Sequence, residues 1–214
     1  MNPQLEKLSS HLINLNTAKG TSRIIVAIAG PPASGKSTFT EALQLLINQK
    51  TETNCSEVLP MDGFHLDNAV LTQHRSVKRK GAPHTFDYDG FKNTLSRLRE
   101  PGSEVTVPIF DRELDLSRAC ARQITLHHSI VLVEGNYLLL DQTPWSDLHQ
   151  MFDVRVFLQV PEETLLQRLV QRWIDHDHTP EDALNRAESN DIPNARLVSE
   201  LTLEADFIID NVEN

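Results

Sequence analysis

The sequence has little of what marks a secreted, membrane-spanning or nucleic-acid-binding protein. Its 214 residues include two cysteines, Cys55 and Cys120, too few for a disulfide framework or a cysteine-based zinc site. No apolar run approaches the roughly 20 residues that cross a membrane. The net charge of −10 argues against broad binding to nucleic acid or anionic membranes, because both require a basic surface. We therefore expect a cytoplasmic protein.

The first 20 residues are amphipathic rather than apolar throughout. Leu5, Leu8, Leu12 and Leu15 recur at helical intervals among polar residues, and the apolar block of a signal peptide is missing. We predict that residues 1–20 form a helix packed on a single domain of residues 21–214. The sequence leaves a homodimer open.

Beyond this helix, short apolar runs alternate with segments of helical periodicity. Such alternation predicts an α/β fold of three layers, in which a mostly parallel sheet carries helices on both faces. Ligands of such folds bind beyond the carboxyl ends of the strands. The predicted strands are Ile24–Ala29, Val58–Met61, Val105–Phe110, Ile130–Glu134, Val154–Val160 and Phe207–Ile209, and the predicted helices are Lys36–Gln49, Tyr88–Arg99, Glu162–Asp175 and Glu181–Asn190.

The stretch GPPASGKST lies between the first of these strands and the first of these helices, and it fits a phosphate-binding loop. Its glycines let backbone N–H groups approach a polyphosphate, and the helix that follows presents further N–H groups. Lys36 would reach the β- and γ-phosphates, and the Ser37 hydroxyl would hold Mg²⁺. An ordinary turn is much the weaker explanation, because eight patterned positions match. The predicted nucleotide-binding residues are Gly30, Pro31, Pro32, Ala33, Ser34, Gly35, Lys36, Ser37 and Thr38.

Two carboxylates follow apolar strands that would end beside this loop. Asp62 comes just after a strand and just before a glycine, where it would either accept a proton from a substrate hydroxyl or cap the next turn. Glu134 closes another buried strand, where an acidic residue orients Mg²⁺ or its water shell. The alternative for Glu134 is an ion pair with an arginine.

The predicted helix of residues 162–175 carries Arg168 and Arg172 one turn apart, away from its apolar face. They form either an exposed charged face or a pair in which at least one member stabilises a transferring phosphoryl group. The segments 74–87 and 175–182 are either loops that close over a ligand or plain solvated loops. The histidine pairs at 127/128 and 176/178 lack a third ligand, so we expect no metal site there.

Together these motifs resemble the P-loop kinases that include uridine kinase, phosphoribulokinase and the bacterial-type pantothenate kinase. The resemblance covers nearly the whole chain from about Arg23 onward. The stretches PMDGFHLDN, RKGAPHTFD, VPIFDRELD, VEGNYLLLD and RAESNDIPNARLV resemble the small bacterial nucleoside/nucleotide-kinase-like or fructose-transport-system kinases. The resemblance implies a P-loop NTPase fold with an acceptor loop at about residues 71–90 and a helical lid at about residues 172–192.

The resemblance also implies roles for single residues. Asp62 falls on the general base of uridine kinases, where Asp-Gly-Phe-His replaces their Asp-Ser-Phe-Tyr. Phe86 is implied to pack on the acceptor, and Asp87 to contact its hydroxyl groups. Arg168 and Arg172 match the arginines of the lid helix. The predicted acceptor-binding residues are His65, Phe86, Asp87, Arg112 and Arg168.

One departure from uridine kinases concerns the acceptor. Those enzymes have Tyr-Asp-Phe and a downstream histidine that reads the pyrimidine, whereas this chain has Phe110-Asp111-Arg112 and an aspartate near the histidine position. Pyrimidine recognition is therefore not expected. Arg112 would instead suit a carboxylate or phosphate on the acceptor. Its basic neighbours in the acceptor loop are Arg75, Lys78, Arg79 and Lys80, and the alternative is a solvated basic loop or one that touches only ATP.

We therefore expect an ATP- and Mg²⁺-dependent kinase that phosphorylates a hydroxyl of a small metabolite such as a sugar, a nucleoside or a pantothenate-like acid. Asp62, Lys36 and Arg172 would be catalytic, and Ser37 would hold Mg²⁺ together with Glu134, which acts through water. The rival hypothesis is a regulatory NTPase switch without a small-molecule acceptor. The guanine-reading tetrapeptide Asn-Lys-x-Asp of GTP switches does not occur in this sequence.

Overall fold

The computed structural model describes residues 3–20 and 22–211, so residues 1, 2, 21 and 212–214 of the predicted domain ranges lie outside the described residues. Five strands form one parallel sheet in the order β2-β5-β1-β6-β7, and two form a separate antiparallel hairpin. The strands are β1 (Ile24–Ala29), β2 (Ser56–Pro60), β3 (Val105–Asp111), β4 (Leu116–Ile124), β5 (Ile130–Gly135), β6 (Val154–Gln159) and β7 (Phe207–Asp210).

Helices connect the strands and cover both faces of the sheet, which confirms the predicted three-layer α/β fold. The α-helices are α1 (Pro3–Lys19), α2 (Lys36–Thr51), α3 (Asn68–Gln73), α4 (Tyr88–Arg99), α5 (Glu162–Asp175), α6 (Pro180–Arg186) and α7 (Ile192–Glu200). Short 3₁₀ turns lie at Met61–Phe64, Val77–Arg79, Pro83–Thr85 and Trp145–Met151, and a π-helical turn lies at Ala187–Asp191.

Strand β1 is buried along its whole length because the sheet has apolar layers on both sides. Successive side chains of a strand point to opposite faces. Ile25 and Ala27 therefore join the layer that contains α4, whereas Ile24 and Val26 join the layer that contains α1 and α2. This two-sided burial explains why β1 has six apolar residues in a row rather than an alternating pattern.

The N-terminal helix packs on the face that α2 also covers. Leu8 and Leu12 are fully buried there, and Leu5 is nearly so. At the end of the helix, Lys19 forms an ion pair with Asp153, whose Oδ2 atom also accepts a hydrogen bond of 2.7 Å from the Ile25 backbone. The helix thus joins the core of the domain through the leucines that the sequence singled out.

The hairpin corrects the predicted sheet. The strand expected at Val105–Phe110 is present as β3, but it pairs with β4 instead of joining the parallel sheet. Strand β4 escaped prediction because its middle is exposed and consists of the small residues Ala119, Cys120 and Ala121 between two arginines, without a run of large apolar residues. The hairpin matters for the site, because β3 brings Arg112 next to Asp62.

The predicted helix at Glu181–Asn190 also needs correction. Helix α6 ends at Arg186, the π-helical turn takes the chain to Asp191, and α7 follows without a break. Pro193 lies in the first turn of α7, directly after the π-helical turn, a position in which proline is tolerated. Within the described part of the chain, no helix is long and apolar enough to cross a membrane.

The burial of α1 yields a prediction about stability. Leu8→Ala should lower the free energy of unfolding by about 2–5 kcal/mol, because it opens a cavity in a packed layer. Leu45→Ala is the matched control, since Leu45 lies on α2 but is 62% exposed. Denaturant unfolding of both variants measures the difference. Equal, small effects would show that α1 does not contribute to the core.

Candidate functional site

Three neighbouring strands bring the predicted site residues to one edge of the sheet. The order β2-β5-β1 places the carboxyl ends of these strands side by side. Glu134 pairs in register with Pro60 on one side and with Ile28 on the other. Asp62 follows β2 by two residues, and the phosphate-binding loop begins directly after β1. Residues far apart in the sequence therefore meet where such folds bind ligands.

Two glycines allow the turn that carries Asp62 to sit close to its neighbours. A Cβ atom at Gly135 would lie 2.5 Å from the Met61 Cβ, and one at Gly63 would lie 2.3 Å from the Pro108 carbonyl oxygen. Neither distance is tolerable for real atoms. The glycines after Glu134 and Asp62 thus let the Asp62 turn pack between β5 and the hairpin.

The loop between β1 and α2 has the conformation that a phosphate-binding loop needs. Gly35 has φ of 83° and Ala33 has φ of 61°, both in the left-handed region. A Cβ at Gly30 would lie 2.8 Å from the Ser34 Oγ and 2.9 Å from the Leu158 carbonyl oxygen. Lys36 Nζ donates a hydrogen bond of 2.9 Å to the Pro31 carbonyl, so the lysine folds back over the loop.

The loop is also held from outside by residues near the end of the chain. The Asn211 side chain donates a hydrogen bond of 2.7 Å to the Ser34 carbonyl. Arg168 donates to the carbonyls of Ala33 at 3.4 Å and Asn211 at 3.2 Å. Arg168 therefore lies against the phosphate loop, and sequence reasoning did not anticipate the contribution of Asn211.

Lys36 and Glu134 are opposite charges buried beside each other. Lys36 is 8% exposed and Glu134 is 7% exposed. Burial lowers the pKa of Lys36 to about 8, although the charge of Glu134 opposes this shift. Burial, together with the nearby charge of Asp62, raises the pKa of Glu134 to about 7. Each group is poorly solvated, so the site favours ligands that bring both negative and positive charge.

Glu134 and Ser37 form the oxygen pair that a small divalent cation would use. The Ser37 hydroxyl donates a hydrogen bond of 3.3 Å to Glu134 Oε2. Among the described residues, no arginine lies within ion-pair distance of Glu134, although the charge of Arg112 acts on it from further away. A buried carboxylate beside a hydroxyl fits Mg²⁺, which is commonly held by one or two carboxylates together with substrate phosphates.

Asp62 lies between the phosphate loop and the hairpin. Its Oδ2 atom is 3.4 Å from the Arg112 guanidinium, and the Asp62 side chain is 32% exposed. Its charge acts on Lys36, Glu134 and Arg172. The Asp62 carboxylate accepts a hydrogen bond from Arg112, and the N-cap position of its 3₁₀ turn is occupied by Pro60. The carboxylate therefore faces the cleft and is accessible to a ligand.

His65 and Phe86 form one wall near Asp62. The His65 Nδ1 atom lies 2.8 Å from the Asp62 carbonyl oxygen, and its ring lies 4.1 Å from that of Phe86 and 4.7 Å from that of Phe110. Burial lowers the pKa of His65, which favours its neutral form. Phe86 is 6% exposed and also contacts Tyr137 edge to face.

Asp87 has a structural contact besides the role that the resemblance implies. It precedes α4 and accepts a hydrogen bond of 2.9 Å from the Gly90 N–H, which makes it the N-cap of this helix.

A cavity of about 530 Å³ lies on the outer side of Phe86, between the acceptor loop and α7. Its lining includes Trp145, Tyr88 and Leu197, all large and mostly apolar.

Arg172 is half-buried at the same cleft. Burial lowers its pKa, and the charges of Asp191 and Asp62 oppose that effect. Its own charge in turn lowers the pKa of Lys36. Of the two predicted lid arginines, Arg172 therefore interacts with the charged groups of the cleft, whereas Arg168 holds the loop backbone.

The four basic residues of the acceptor loop have different surroundings, and one of them is paired with a carboxylate. Lys80 forms an ion pair of 2.8 Å with Asp115. Arg79 donates to the Ser189 carbonyl and to the Asn194 side chain, at 3.2 Å each. The remaining two basic residues of the loop, Arg75 and Lys78, are exposed. The sequence grouped Arg112 with these four basic residues. Arg112 lies on the hairpin and pairs with Asp62.

Asp191 and Trp173 are the polar contacts near the lid that sequence reasoning missed. The Trp173 indole N–H donates a hydrogen bond of 2.7 Å to Asp191, which is 7% exposed. Trp173 also packs against the apolar cluster that contains Leu165 and Leu169. Asp191 lies inside the motif RAESNDIPNARLV, so the family resemblance was the signal that could have identified it.

Comparison with known proteins finds relatives that match nearly the whole chain. The chain is 32% identical over 216 residues to the uncharacterized protein YggC of Escherichia coli strain K12, a match that covers 99% of this chain and 90% of that one. It is 28% identical over 198 residues to a candidate uridine kinase of Schizosaccharomyces pombe, covering 89% of this chain and 84% of the relative.

A solved structure has nearly the same fold along nearly its whole length. The candidate fructose transport system kinase from Silicibacter sp. TM1040 is 38% identical, superposes with a TM-score of 0.91, and is matched over 97% of this chain and 99% of its own. The model of the phosphoribulokinase/uridine kinase family matches residues 25–213. This protein therefore belongs to the phosphoribulokinase/uridine kinase family of small-molecule kinases.

Proposed function

We propose that the protein is an ATP- and Mg²⁺-dependent kinase that transfers the γ-phosphoryl group to a hydroxyl of a small, acidic metabolite. One observation carries this proposal. A phosphate loop with Lys36, a buried carboxylate suited to Mg²⁺ at Glu134, and an accessible carboxylate at Asp62 meet at the carboxyl ends of three adjacent strands. Phosphoryl transfer needs these parts together: a polyphosphate site, a metal site and a group that receives the acceptor proton.

The triphosphate would lie along residues 30–38. Backbone N–H groups at the start of α2 point toward the phosphates, and Lys36 exchanges its hydrogen bond with Pro31 for one with a phosphate oxygen. Arg168 and Asn211 would keep the loop in shape during turnover, because they bind its carbonyls. Ser37 and Glu134 would hold Mg²⁺, which offsets phosphate charge when it is bound.

Asp62 would act as general base. The acceptor hydroxyl attacks the γ-phosphorus as the bond to the β-phosphate oxygen breaks, and the hydroxyl proton passes to the Asp62 carboxylate while ADP leaves. Lys36 and Arg172 would offset the negative charge that develops on the transferring group. Both cations interact electrostatically with Asp62, which supports a shared reaction centre.

The acceptor would bind between His65, Phe86, Asp87 and the hairpin. Arg112 supports an acidic acceptor, because a guanidinium beside the base can bind a carboxylate or phosphate. Arg79 and Lys80 are directed away from Asp62, since Arg79 donates to Ser189 and Asn194 and Lys80 pairs with Asp115. The preference for an acid therefore rests on Arg112.

The first prediction here concerns protons taken up when nucleotide binds. The pKa of Lys36 is about 8 in the free protein and rises when phosphate lies beside it. At pH 8, without Mg²⁺, ADP binding should therefore take up roughly half a proton through Lys36. Calorimetry in buffers of different ionisation enthalpy measures this uptake. The Lys36→Ala variant should lack this proton uptake. If the variant takes up as many protons as the native protein, Lys36 does not lie beside the bound phosphates.

The second prediction concerns the base. Asp62→Asn should reduce kcat by roughly 10² to 10⁴ with little change in nucleotide affinity, because the amide cannot accept the proton. Steady-state kinetics and nucleotide titration provide the two quantities. Asp111→Asn is a matched control, since Asp111 also pairs with a hairpin arginine, Arg118. Loss of ATP binding in Asp62→Asn would contradict the assignment of Asp62 as the general base.

The third prediction concerns the acceptor. Arg112→Ala should raise the KM of an acidic acceptor far more than that of ATP, because it removes the cation that pairs with the acid. Arg118→Ala is the control, because both arginine side chains are 56% exposed and both pair with an aspartate of this region. If neutral nucleosides are the better acceptors and Arg112→Ala leaves their KM unchanged, the proposed acidic class is wrong and the kinase assignment stands.

A further inference from the structure

Asp191 is a buried carboxylate that the proposed reaction does not use. It ends the π-helical turn Ala187–Asp191, called here the lid turn, and is 7% exposed. It stands directly before α7 but forms no side-chain cap to that helix. A buried carboxylate is unfavourable unless it is paired, and π-helical turns often lie at functional sites. Its position therefore requires a partner.

One partner is Trp173 on α5. Asp191 Oδ2 accepts a hydrogen bond of 2.7 Å from the indole N–H, which fixes the orientation of the ring. The guanidinium of Arg186 lies 4.2 Å from the centre of that ring, and that of Arg172 lies 5.3 Å from it. Cations within about 6 Å of an indole face are attracted to it. The hydrogen bond thus orients a ring that carries two arginines.

The charge of Asp191 also acts on Arg172 directly. Arg172 is partly desolvated and experiences repulsion from Arg112 and Arg186. It also repels Lys36 across the cleft. Asp191 is the carboxylate whose charge most strongly favours the charged form of Arg172. Without that charge, the repulsion would favour arrangements in which Arg172 turns away from Lys36.

The lid turn is held from its other side by the acceptor loop. Arg79 donates to the Ser189 carbonyl and to the Asn194 side chain, at 3.2 Å each. Asn190 donates a hydrogen bond of 3.0 Å to the Lys80 carbonyl. The turn therefore bridges α5 and the acceptor loop, and Asp191 is fixed between them.

We propose that Asp191 is a positioning residue that orients Trp173 and holds Arg172 toward the γ-phosphoryl group. The inference rests on the proposed function, because it assigns Arg172 to that group. Asp191 itself contacts neither nucleotide nor acceptor in this proposal. It acts by setting the place of a cation that does.

The test compares two nucleotides that differ by the γ-phosphoryl group. The full chain is titrated calorimetrically with ADP and with the β,γ-imido analogue of ATP, each with Mg²⁺. Asp191→Asn retains an acceptor for the Trp173 N–H and removes the charge. We expect it to weaken binding of the analogue about tenfold while ADP affinity changes by less than about twofold.

Three further variants sharpen the result. Arg172→Ala should show the same selective loss, and combining it with Asp191→Asn should cause no further loss, since both act through one guanidinium. Trp173→Phe keeps an aromatic ring but lacks the N–H donor, so it should weaken analogue binding in the same direction. Glu188→Gln removes a charge from the exposed part of the same turn and should leave both affinities unchanged.

The outcomes separate this inference from the proposed function. Unchanged affinity for the analogue in Asp191→Asn overturns the positioning role. So does a double variant whose loss of affinity is the product of the losses in Asp191→Asn and Arg172→Ala. Equal losses for ADP and the analogue would make Asp191 a purely structural residue and also overturn it. A native protein that binds neither nucleotide contradicts the proposed function itself.

Discussion

The site depends on two opposite charges, Lys36 and Glu134, buried together at the carboxyl end of the central sheet. Each is less than a tenth exposed, and burial drives the pKa of each toward neutrality. A pair of this kind adds little to stability in the free protein, because desolvation offsets the attraction. It is better suited to a ligand that carries both signs, such as a polyphosphate with a divalent cation. The close packing around Gly30 and Gly135 keeps the two charges at that edge.

The remaining polar contacts extend outward from this pair. Asp62 and Arg172 interact with this pair through their charges alone. Asp62 also pairs with Arg112 of the hairpin, and the Arg172 guanidinium lies 5.3 Å from the centre of the Trp173 ring, which donates a hydrogen bond to Asp191. The lid turn then reaches the acceptor loop through Arg79 and Asn190. These charges and contacts thus extend from the loop of residues 30–38 to residues 71–90.

The sequence predicted those parts of the fold that depend on local pattern. Apolar runs, and the glycine, proline and polar residues that end them, predicted three features. These are the buried strand β1, the loop GPPASGKST and the positions of Asp62 and Glu134 at strand ends, and all lie where expected. Strand β4 could not be predicted in this way, because its exposed middle has small residues between arginines and no run of large apolar residues. Helix α7 was missed because proline marks the first turn of a helix as readily as a break.

Side-chain partners were beyond prediction because they depend on tertiary packing. The basic acceptor loop looked like one cationic cluster, yet Lys80 pairs with Asp115, 35 residues further along the chain. Arg168 and Arg172 lie one turn apart on α5, but Arg168 binds the phosphate-loop backbone and Arg172 interacts with the charges of the cleft. The two arginines thus have different contacts, although they are the same residue type on the same helix, because their surroundings differ.

Acceptor-dependent release of ADP tests the central claim most directly. The native protein would be incubated with ATP and Mg²⁺ and with nucleosides, sugars, sugar phosphates, pantothenate and hydroxy acids in turn, and phosphorus NMR would locate the transferred group. We predict that ADP forms rapidly only when an acceptor is present, and that the phosphate is then found esterified to an acceptor hydroxyl. Equal ADP formation without any acceptor, with all phosphate recovered as the free ion, would contradict the kinase mechanism and favour a regulatory NTPase.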